Sequence, residues 1–570
     1  MITHVFKAFR TRLRESAALF CMLIAAAVIL IWPAFNTYAD QSTAVSLTGT
    51  IHSCKITEDQ NTVEIRFSAS GDSSGTDGQI YVFELKPYET SIGSRTDLIG
   101  RTAIGEGKTL TTDLRHKTAQ DRLYSSFVLA AFDGNTYHEI SSRHYITNPE
   151  ILAPNQEEFP RTTTKKGLNI ELDMLDDAFD LGVKYVTTNI AFSMIIGQGI
   201  EYEYDGEVYH FNKAIVDDYD RIISAYSNKG MVVTAIILND WNPNTPDLIY
   251  PGTSKSASAN YYMFNAATEK GFKQTRAIAS FLAEHYNGSN PNYGKVSNWI
   301  IGNEINCQLW NYMGAADVST YVDAYQKAFR TFYTAIKSTS ANDRVYFSLS
   351  YNWGTPYEDP TCPNYSGKEI VDYFNSIANR EGQVDWGLAY HPYPDPLTEP
   401  EFWNDAETGR VTNDINSPVI NFANLHVLTD YFNREALKAP SGHVRHIILT
   451  EQGFTSQSQS RGNVADIQAA AFAYSYYIVD SNPYIDAYTL SRQVDAPAEV
   501  NQGLKFGLWE CDMNQPNLIV ATKRKKIWQV FRDIDKKKYT LEASEFAKEI
   551  LGIQKWSDVV SNFRWRNLEN

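Results

Sequence analysis

After Lys165, eight short apolar runs rich in β-branched and aromatic residues alternate with segments of helical periodicity. Strands that alternate with helices pair in parallel, and eight such units are typical of a closed (β/α)8 barrel. An open doubly wound sheet is the alternative, but it requires a glycine-rich phosphate turn after its first strand, and residues 167–173 (GLNIELD) contain none. The sequence therefore predicts an α/β fold of the barrel type. Its strands are predicted at residues 167–172, 185–190, 231–238, 299–305, 345–351, 386–393, 446–450 and 485–490.

The segments between these runs carry apolar residues on one helix face. Between the fourth and fifth runs, such residues recur at steps of three and four, which is the spacing of a buried face. They are Val322, Tyr325, Phe329, Phe332 and Ile336. The tail from residue 523 onward has similar steps behind a basic patch, so we expect helices that close the barrel there. The predicted barrel domain, with these helices, spans residues 160–570.

Ahead of the barrel, residues 40–150 show the period-two alternation of β-strands, for example at 62–68 (TVEIRFS) and 79–85 (QIYVFEL). Asp133-Gly134 between two such segments is a hairpin signal. Short strands separated by turn-rich clusters predict a small all-β sandwich domain. The sequence leaves open whether this domain has a binding role of its own or supports the barrel.

The first 39 residues are typical of a signal peptide. Four basic residues precede an unbroken apolar run at 17–31, and small residues up to Ala39 resemble a cleavage site. We therefore expect a secreted or extracytoplasmic protein. An uncleaved anchor is the alternative, because the run approaches membrane-spanning length, and it would associate the protein with the cell surface. The formal charge of −16 argues against nucleic acid as a partner, because phosphate contacts require a basic face.

Four cysteines follow this segment, namely Cys54, Cys307, Cys362 and Cys511. An even number in an exported protein permits disulfides, and Cys307 and Cys362 follow neighbouring predicted strands, so a bridge between them is one hypothesis. Buried free thiols are the alternative. The cysteine spacing matches no zinc motif, and the eleven histidines form no dense ligand cluster, so no metal and no other cofactor is predicted.

Two of the predicted strands end on a glutamate. The fourth runs into Asn303-Glu304, and the seventh runs into Thr450-Glu451. The chemistry of (β/α)8 barrels collects at the carboxyl ends of the strands. One such glutamate alone would indicate a structural ion pair, but strands four and seven lie nearly opposite each other in the ring. Both carboxylates are therefore predicted to face one cavity.

From about residue 165 to 550, this order of motifs resembles the clan A glycoside hydrolases, which are retaining enzymes on a (β/α)8 barrel. The resemblance implies that Glu304 is the acid/base and Glu451 the nucleophile. In retaining enzymes the two carboxyl groups are about 5–5.5 Å apart. Asn303 would then hydrogen-bond the sugar 2-hydroxyl, an interaction that strengthens toward the transition state.

Strands six and two complete the comparison with that clan. By resemblance, His391 holds the acid/base side of the site and Tyr393 donates a hydrogen bond to the nucleophile, with Tyr390 as the alternative tyrosine. A histidine that is merely packed against its neighbours is the other interpretation. Many clan members place an arginine near the end of strand two, whereas this chain has Asn189 there. Either Asn189 takes over part of that role or the predicted strand is misplaced.

Aromatic residues follow several predicted strand ends, where they could stack on the apolar faces of sugars. Trp241 and Trp353 are the strongest candidates for substrate contacts, and Trp310 and Tyr312 follow strand four. The loop at 240–268 is long and could wall a cleft.

The sequence thus predicts a secreted retaining glycosidase that acts on a poly- or oligosaccharide. A surface carbohydrate-binding protein without turnover is one alternative, motivated by the departure at strand two. A metal-dependent hydrolase such as a sugar deacetylase is another, and it would require a cluster of histidine and aspartate ligands.

Overall fold

The computed structural model describes residues 46–359, 361 and 363–568. Within them, two antiparallel sheets precede a closed parallel barrel, which confirms the predicted fold class. The predicted signal peptide lies outside these residues. Cys362 also lies outside them, so its bridge to Cys307 stays a prediction. No helix in the described part of the chain has the length and apolar character needed to cross a membrane.

The N-terminal domain buries its core between the two antiparallel sheets. Val63 and Phe67 of one sheet pack with Leu129 of the other, and all three side chains are buried. Asp133 and Gly134 lie in the turn between two paired strands, as the hairpin signal predicted. The strands are Ser46–Ile56, Thr62–Asp72, Gln79–Leu85, Gly100–Ala103, Gly105–Asp113, Ser126–Phe132, Tyr137–Glu139 and His144–Tyr145.

The barrel closes because its first and eighth strands pair in parallel. Gly167 lies beside Thr489, and Leu168 lies beside Leu490. Every predicted run forms a strand, in the predicted order, so the open doubly wound alternative is wrong. Strands one to eight of the barrel are Lys166–Leu168, Tyr185–Ala191, Val232–Leu238, Asn298–Ile301, Arg344–Ser350, Trp386–His391, Ile447–Leu449 and Ile485–Leu490.

Helices cover the outside of the barrel. In helix Val318–Lys337 the predicted apolar face is buried, and the Asp317 side chain caps its start by accepting the Thr320 N–H. Two C-terminal helices pack against the helix that precedes strand eight. The described helices are Leu175–Asp180, Lys213–Ser227, Glu269–His285, Val318–Lys337, Gly367–Glu381, Leu425–Phe432, Ala465–Asp480, Pro497–Val500, Lys526–Asp533 and Thr540–Leu551. Short hairpins pair Gly199–Tyr204 with Glu207–Asn212, Gln457–Ser458 with Gly462–Asn463, and Trp509–Cys511 with Ala521–Arg524.

The inside of the barrel changes in character along its axis. Its middle is packed with Ile300, Tyr346 and Ile448, which are at most 1% exposed. The carboxyl ends of the strands carry polar side chains, among them His391 and Thr450. A functional site in this barrel therefore has room at that end, which we call the mouth, and not in the filled middle.

The opposite end of the barrel, which we call the floor, is covered by the linker between the two domains. Phe159 lies over the Arg344 guanidinium at 3.7 Å. Arg344 and His446 both bind the Asp486 carboxylate, at 3.0 and 2.6 Å. Earlier in the linker, the backbone of Asn155 hydrogen-bonds the turn at 339–341. The linker is therefore part of the barrel's packing.

Candidate active site

The turn after strand four positions Glu304. Gly302 and Glu304 both have left-handed backbone, with φ of +77° and +37°, and for a residue with a side chain this costs about 1–3 kcal/mol. Strand five holds the turn, because Ser348 accepts the Glu304 N–H on Oγ at 2.6 Å and the Ile305 N–H on its carbonyl at 3.0 Å. The Glu304 side chain is thereby fixed in the mouth and is only 14% exposed.

Glu451 follows strand seven and lies in the same mouth, with its side chain 40% exposed. The Tyr393 hydroxyl donates to its Oε1 at 3.1 Å, and Phe506 packs against Tyr393 with ring centroids 5.8 Å apart. The alternative tyrosine, Tyr390, is wrong for this role. Its ring is buried in the core outside the barrel, where its hydroxyl donates to the Ile420 carbonyl at 3.1 Å.

His391 lies between the two glutamates. Its Nδ1 is 2.8 Å from Oε1 of Glu304 and 3.9 Å from Oε2 of Glu451. The separation of these two oxygens cannot exceed the total of the two distances, about 6.7 Å. On its other side, Nε2 lies 3.2 Å from the Thr450 hydroxyl, and the ring is fully buried. The structure therefore gathers Glu304 and Glu451 around one imidazole.

The charges in this group change its protonation. Burial raises the pKa of Glu451 and so does the nearby charge of Glu304, although His391, Tyr393 and Arg492 act in the opposite direction. Burial alone would lower the pKa of His391, but the hydrogen bond to Glu304 and the charge of Glu451 outweigh it and raise that pKa. In this setting the pKa values of Glu451 and His391 are therefore both raised above their ordinary values.

The two asparagines predicted for the site lie at the mouth. Asn303 is partly exposed and accepts a hydrogen bond from the Ser348 hydroxyl at 3.4 Å. Asn189 is exposed near the end of strand two, beside Ile236 of strand three. Strand two therefore lies where it was predicted. Near its end this chain has Asn189, where many clan A enzymes have an arginine. Among the described residues no hydrogen bond joins Asn189 to Glu451, and its role there stays a prediction.

Of the two predicted tryptophan contacts, Trp241 is the accessible one. It is partly exposed after strand three and packs on Tyr262 with ring centroids 5.2 Å apart. Trp353 is wrong as a sugar contact, because its side chain is fully buried and its indole N–H donates to the Ile415 carbonyl at 2.9 Å. The chain turns outward after strand five, so that the ring packs edge-on against Tyr431 beneath the loop that follows strand six.

Tyr261 and Trp310 form a partly exposed aromatic wall beside the glutamates. Their rings stack with centroids 6.1 Å apart. Burial and the charges of Asp240 and Glu451 raise the pKa of Tyr261. The Tyr312 N–H donates to the Tyr261 carbonyl at 2.8 Å and ties the loops after strands three and four together. The sequence pattern does not single out Tyr261, because it lies deep in a long loop.

Arg492 is a second site residue that the sequence pattern does not indicate. It follows strand eight, where the Ser491 N–H donates to the carbonyl of Gln452, the residue next to Glu451, at 2.9 Å. Its guanidinium donates from Nε and Nη2 to Glu499 at 3.1 and 2.5 Å. An arginine directly after a strand was the one signal that could have identified it.

Ion pairs hold the rim of the mouth. Arg461, between the short strands that follow strand seven, binds Glu399 at 3.0 Å and also binds Glu401, both in the loop after strand six. Lys525 and Asp495 form a buried pair at 2.7 Å. Within the described ranges, no group of three or more histidine, cysteine, aspartate or glutamate side chains is arranged to hold a metal ion.

Fold and site together define a class of protein, a (β/α)8 barrel whose fourth and seventh strands end on two carboxylates around a shared histidine. Residues 158–559 match the model of a family described as a family of unknown function (DUF5722), and the chain belongs to that family. No curated protein matches the chain.

Three solved structures to which the chain is similar carry the names of glycosidases. A family 39 glycoside hydrolase from Bacteroides cellulosilyticus WH2 is 15% identical over 84% of this chain and 81% of its own, with a TM-score of 0.41. The family 1 β-glucosidase from Thermotoga maritima is 14% identical over 65% and 86%, with a TM-score of 0.38. A calcium-binding mutant of β-glucuronidase 2 from Bacteroides uniformis is 11% identical over 85% and 49%, with a TM-score of 0.37.

Proposed function

We propose that the protein is a retaining glycosidase that cleaves O-glycosidic bonds of an oligo- or polysaccharide, with Glu304 as acid/base and Glu451 as nucleophile. The observation that carries this proposal is the position of the two carboxylates, 2.8 and 3.9 Å from the same nitrogen of His391. Retaining enzymes keep the two carboxyl groups about 5–5.5 Å apart, whereas inverting enzymes need about 6.5–9.5 Å to admit a water. The upper limit of about 6.7 Å between Oε1 of Glu304 and Oε2 of Glu451 fits the retaining separation and reaches only the lower edge of the inverting range.

The residues around the mouth match the two steps of such a reaction. First, the Glu304 carboxylic acid gives its proton to the glycosidic oxygen, a Glu451 oxygen bonds to the anomeric carbon, and the bond to the leaving oxygen breaks. Then the Glu304 carboxylate takes a proton from water, whose oxygen displaces Glu451 from that carbon. His391 orients the Glu304 carboxyl through its 2.8 Å contact, and Tyr393 orients Glu451.

The strained backbone at Glu304 supports a functional role for this residue. A left-handed glutamate costs folding free energy and persists only where its surroundings enforce it, and such outliers cluster at active sites. Here Ser348 enforces it through the 2.6 Å bond to the Glu304 N–H. The same serine binds Asn303, and we propose that Asn303 contacts the sugar 2-hydroxyl.

The aromatic side chains at the mouth support a carbohydrate as the substrate. Sugars present apolar C–H faces that stack on aromatic rings, while polar side chains bind their hydroxyls. Trp241, Tyr261 and Trp310 are partly exposed on the loops after strands three and four. We propose that these loops hold the sugar next to the bond that is cleaved.

A turnover screen tests this proposal. Wild-type protein, Glu304→Gln and Glu451→Gln are incubated with plant, fungal and bacterial polysaccharides and with aryl glycosides, and Asp486→Asn at the floor is the matched control. We expect product from wild type and Asp486→Asn only, and NMR of the first product should show the substrate's anomeric configuration.

Each other outcome of the screen contradicts a defined part of the proposal. Equal product release by wild type and both glutamate variants would remove the catalytic assignment. A first product of opposite configuration would exclude retention. Binding of a polysaccharide without release of product by wild type would favour the non-catalytic carbohydrate-binding alternative.

We also propose that the protein is exported, on the strength of the basic and apolar residues at 1–39. Terminal sequencing of the protein from a fractionated culture tests this. A start near Asp40 in the extracytoplasmic fraction supports cleavage, and an intact start in the membrane fraction supports a cell-surface anchor. Full-length protein confined to the cytoplasm would contradict export.

A further inference from the structure

Glu451 lies near a second carboxylate, Glu304, whose charge disfavours the ionised form of Glu451. Its neighbours are the carboxylate of Glu304, the hydroxyls of Tyr393 and Tyr261, the imidazole of His391 and the guanidinium of Arg492. Of the two basic groups, His391 is engaged by the 2.8 Å contact to Glu304 and is farther from Glu451, at 3.9 Å. The ionised form of Glu451 therefore gains from a second positive charge.

Arg492 is placed to supply that charge. The bond from the Ser491 N–H to the Gln452 carbonyl continues the pairing of strands seven and eight past Glu451 and brings Arg492 to its side of the mouth. Its side chain is 30% exposed and is held by two bonds to Glu499. The acidic groups that face Arg492 are Glu499, Glu451 and Glu171, together with the Tyr393 hydroxyl.

We propose that Arg492, fixed by Glu499, is a positioning residue whose positive charge keeps Glu451 ionised and aligned for attack. This inference rests on the proposed function and adds strand eight to the machinery, in place of the arginine that strand two lacks. Arg492 acts through Glu451 without bonding it directly. Glu499 both fixes the guanidinium and offsets part of its charge.

The two partners have opposite expected effects on the nucleophile. Without Arg492 the ionised form of Glu451 loses a favourable charge, so the pKa of Glu451 rises. Without the Glu499 charge, less of the positive charge of Arg492 is offset. Arg492 then favours the ionised form of Glu451 more strongly, so the pKa of Glu451 falls. A merely structural ion pair would not shift this pKa in two directions, because loss of either partner would only loosen the loop.

The first experiment compares the pH dependence of kcat/KM for wild type, Arg492→Gln and Glu499→Gln on the best substrate from the screen. The acid limb of this profile is the fall of kcat/KM at low pH, where Glu451 becomes protonated. We expect its midpoint to rise by about one pH unit in Arg492→Gln and to fall in Glu499→Gln. Arg492→Lys should restore most of the limb's position because it restores the charge. Arg344→Gln is the matched control, since Arg344 forms a similarly exposed pair with Asp486 at the floor. It should leave the limb in place.

A second experiment separates this inference from the proposed function. Infrared difference titration of each variant against its Glu451→Gln counterpart reports the ionisation of Glu451 without any substrate. A shift in Arg492→Gln supports the inference even if no glycoside is cleaved. An unshifted carboxyl in folded Arg492→Gln and Glu499→Gln, or equal shifts in Arg344→Gln, would overturn it even if the protein proves to be a glycosidase.

Discussion

The two ends of the barrel each hold a histidine beside a carboxylate, but they differ in how many acidic and basic side chains are in contact there. At the floor, Asp486 is bound by His446 at 2.6 Å and by Arg344 at 3.0 Å, so one acid has two basic partners. At the mouth, Glu304 and Glu451 lie on either side of one histidine, His391. Phe159 covers the floor, whereas the mouth leaves Glu451 accessible.

This difference in proportion changes the acids themselves. Burial alone would raise the pKa of Asp486, but its bonds to His446 and Arg344 lower it below its ordinary value. Burial and the charge of Glu304 raise the pKa of Glu451 instead. A carboxylate beside a histidine thus has a lowered pKa at one end of the barrel and a raised pKa at the other.

The largest contrast is expected from neutralising the acids at each end. Glu304→Gln and Glu451→Gln should each lower kcat by about 10²- to 10⁴-fold, because in the proposed reaction each removes a group that transfers a proton or forms a bond. Asp486→Asn should leave kcat within about twofold of wild type, since it touches no reacting atom. Steady-state kinetics on one substrate checks this. A similar loss in all three variants would mean that the mouth has no special role.

Replacing the histidines should give a smaller contrast. His391→Gln should lower kcat about 10- to 100-fold, the effect of losing a hydrogen bond to a charged group, and should move the acid limb of the pH profile upward because Glu451 loses a positive neighbour. His446→Gln should reduce the melting temperature and leave the limb in place. Equal kinetic effects of the two substitutions would contradict the distinction between the ends.

Tyr393→Phe isolates one hydrogen bond at the mouth. The hydroxyl lies 3.1 Å from Glu451, and its loss should lower kcat about tenfold with little change in stability. The phenylalanine ring can still pack against Phe506. The melting temperature of the variant therefore shows whether the packing is intact. Kinetics and thermal unfolding of the same sample measure both quantities, and a loss of stability without a loss of kcat would assign Tyr393 a packing role.

The smallest effect concerns the stability of the floor at low pH. Because the pKa of Asp486 is lower in the folded protein, its contribution is present above the unfolded pKa of about 3.9 and is lost as pH falls through the folded value. Asp486→Asn should therefore reduce the free energy of unfolding by about 1 kcal/mol at pH 7. This difference should fade at acid pH. Denaturant titrations at several pH values measure it, and a constant difference would contradict the assignment.

The barrel could be predicted because burial acts on each strand locally. A parallel strand covered on both faces must be apolar along its length, so the eight runs stand out in the sequence. Glu304 and Glu451 stand out for the same reason, since each ends an apolar run with a charge. Both observations need only neighbouring residues.

The parts that sequence could not predict depend on loop paths. Trp353 follows strand five as Trp241 follows strand three, yet the chain turns Trp353 beneath another loop and buries it. Tyr261 reaches the mouth through pairing with Tyr312, which is far away in sequence. Arg492 acquires its place from Glu499 and from strand seven. Such contacts form between segments whose sequences carry no shared pattern.

The ring of Phe159 has a practical consequence for anyone who wishes to express the barrel alone. A shortened protein that starts at Lys166 would begin with a strand but would expose the Arg344 face to water. The family match starts at residue 158 and retains Phe159, yet it omits Asn155, whose backbone anchors the segment to residues 339 and 341. Truncation for crystallisation or labelling should therefore begin ahead of Asn155.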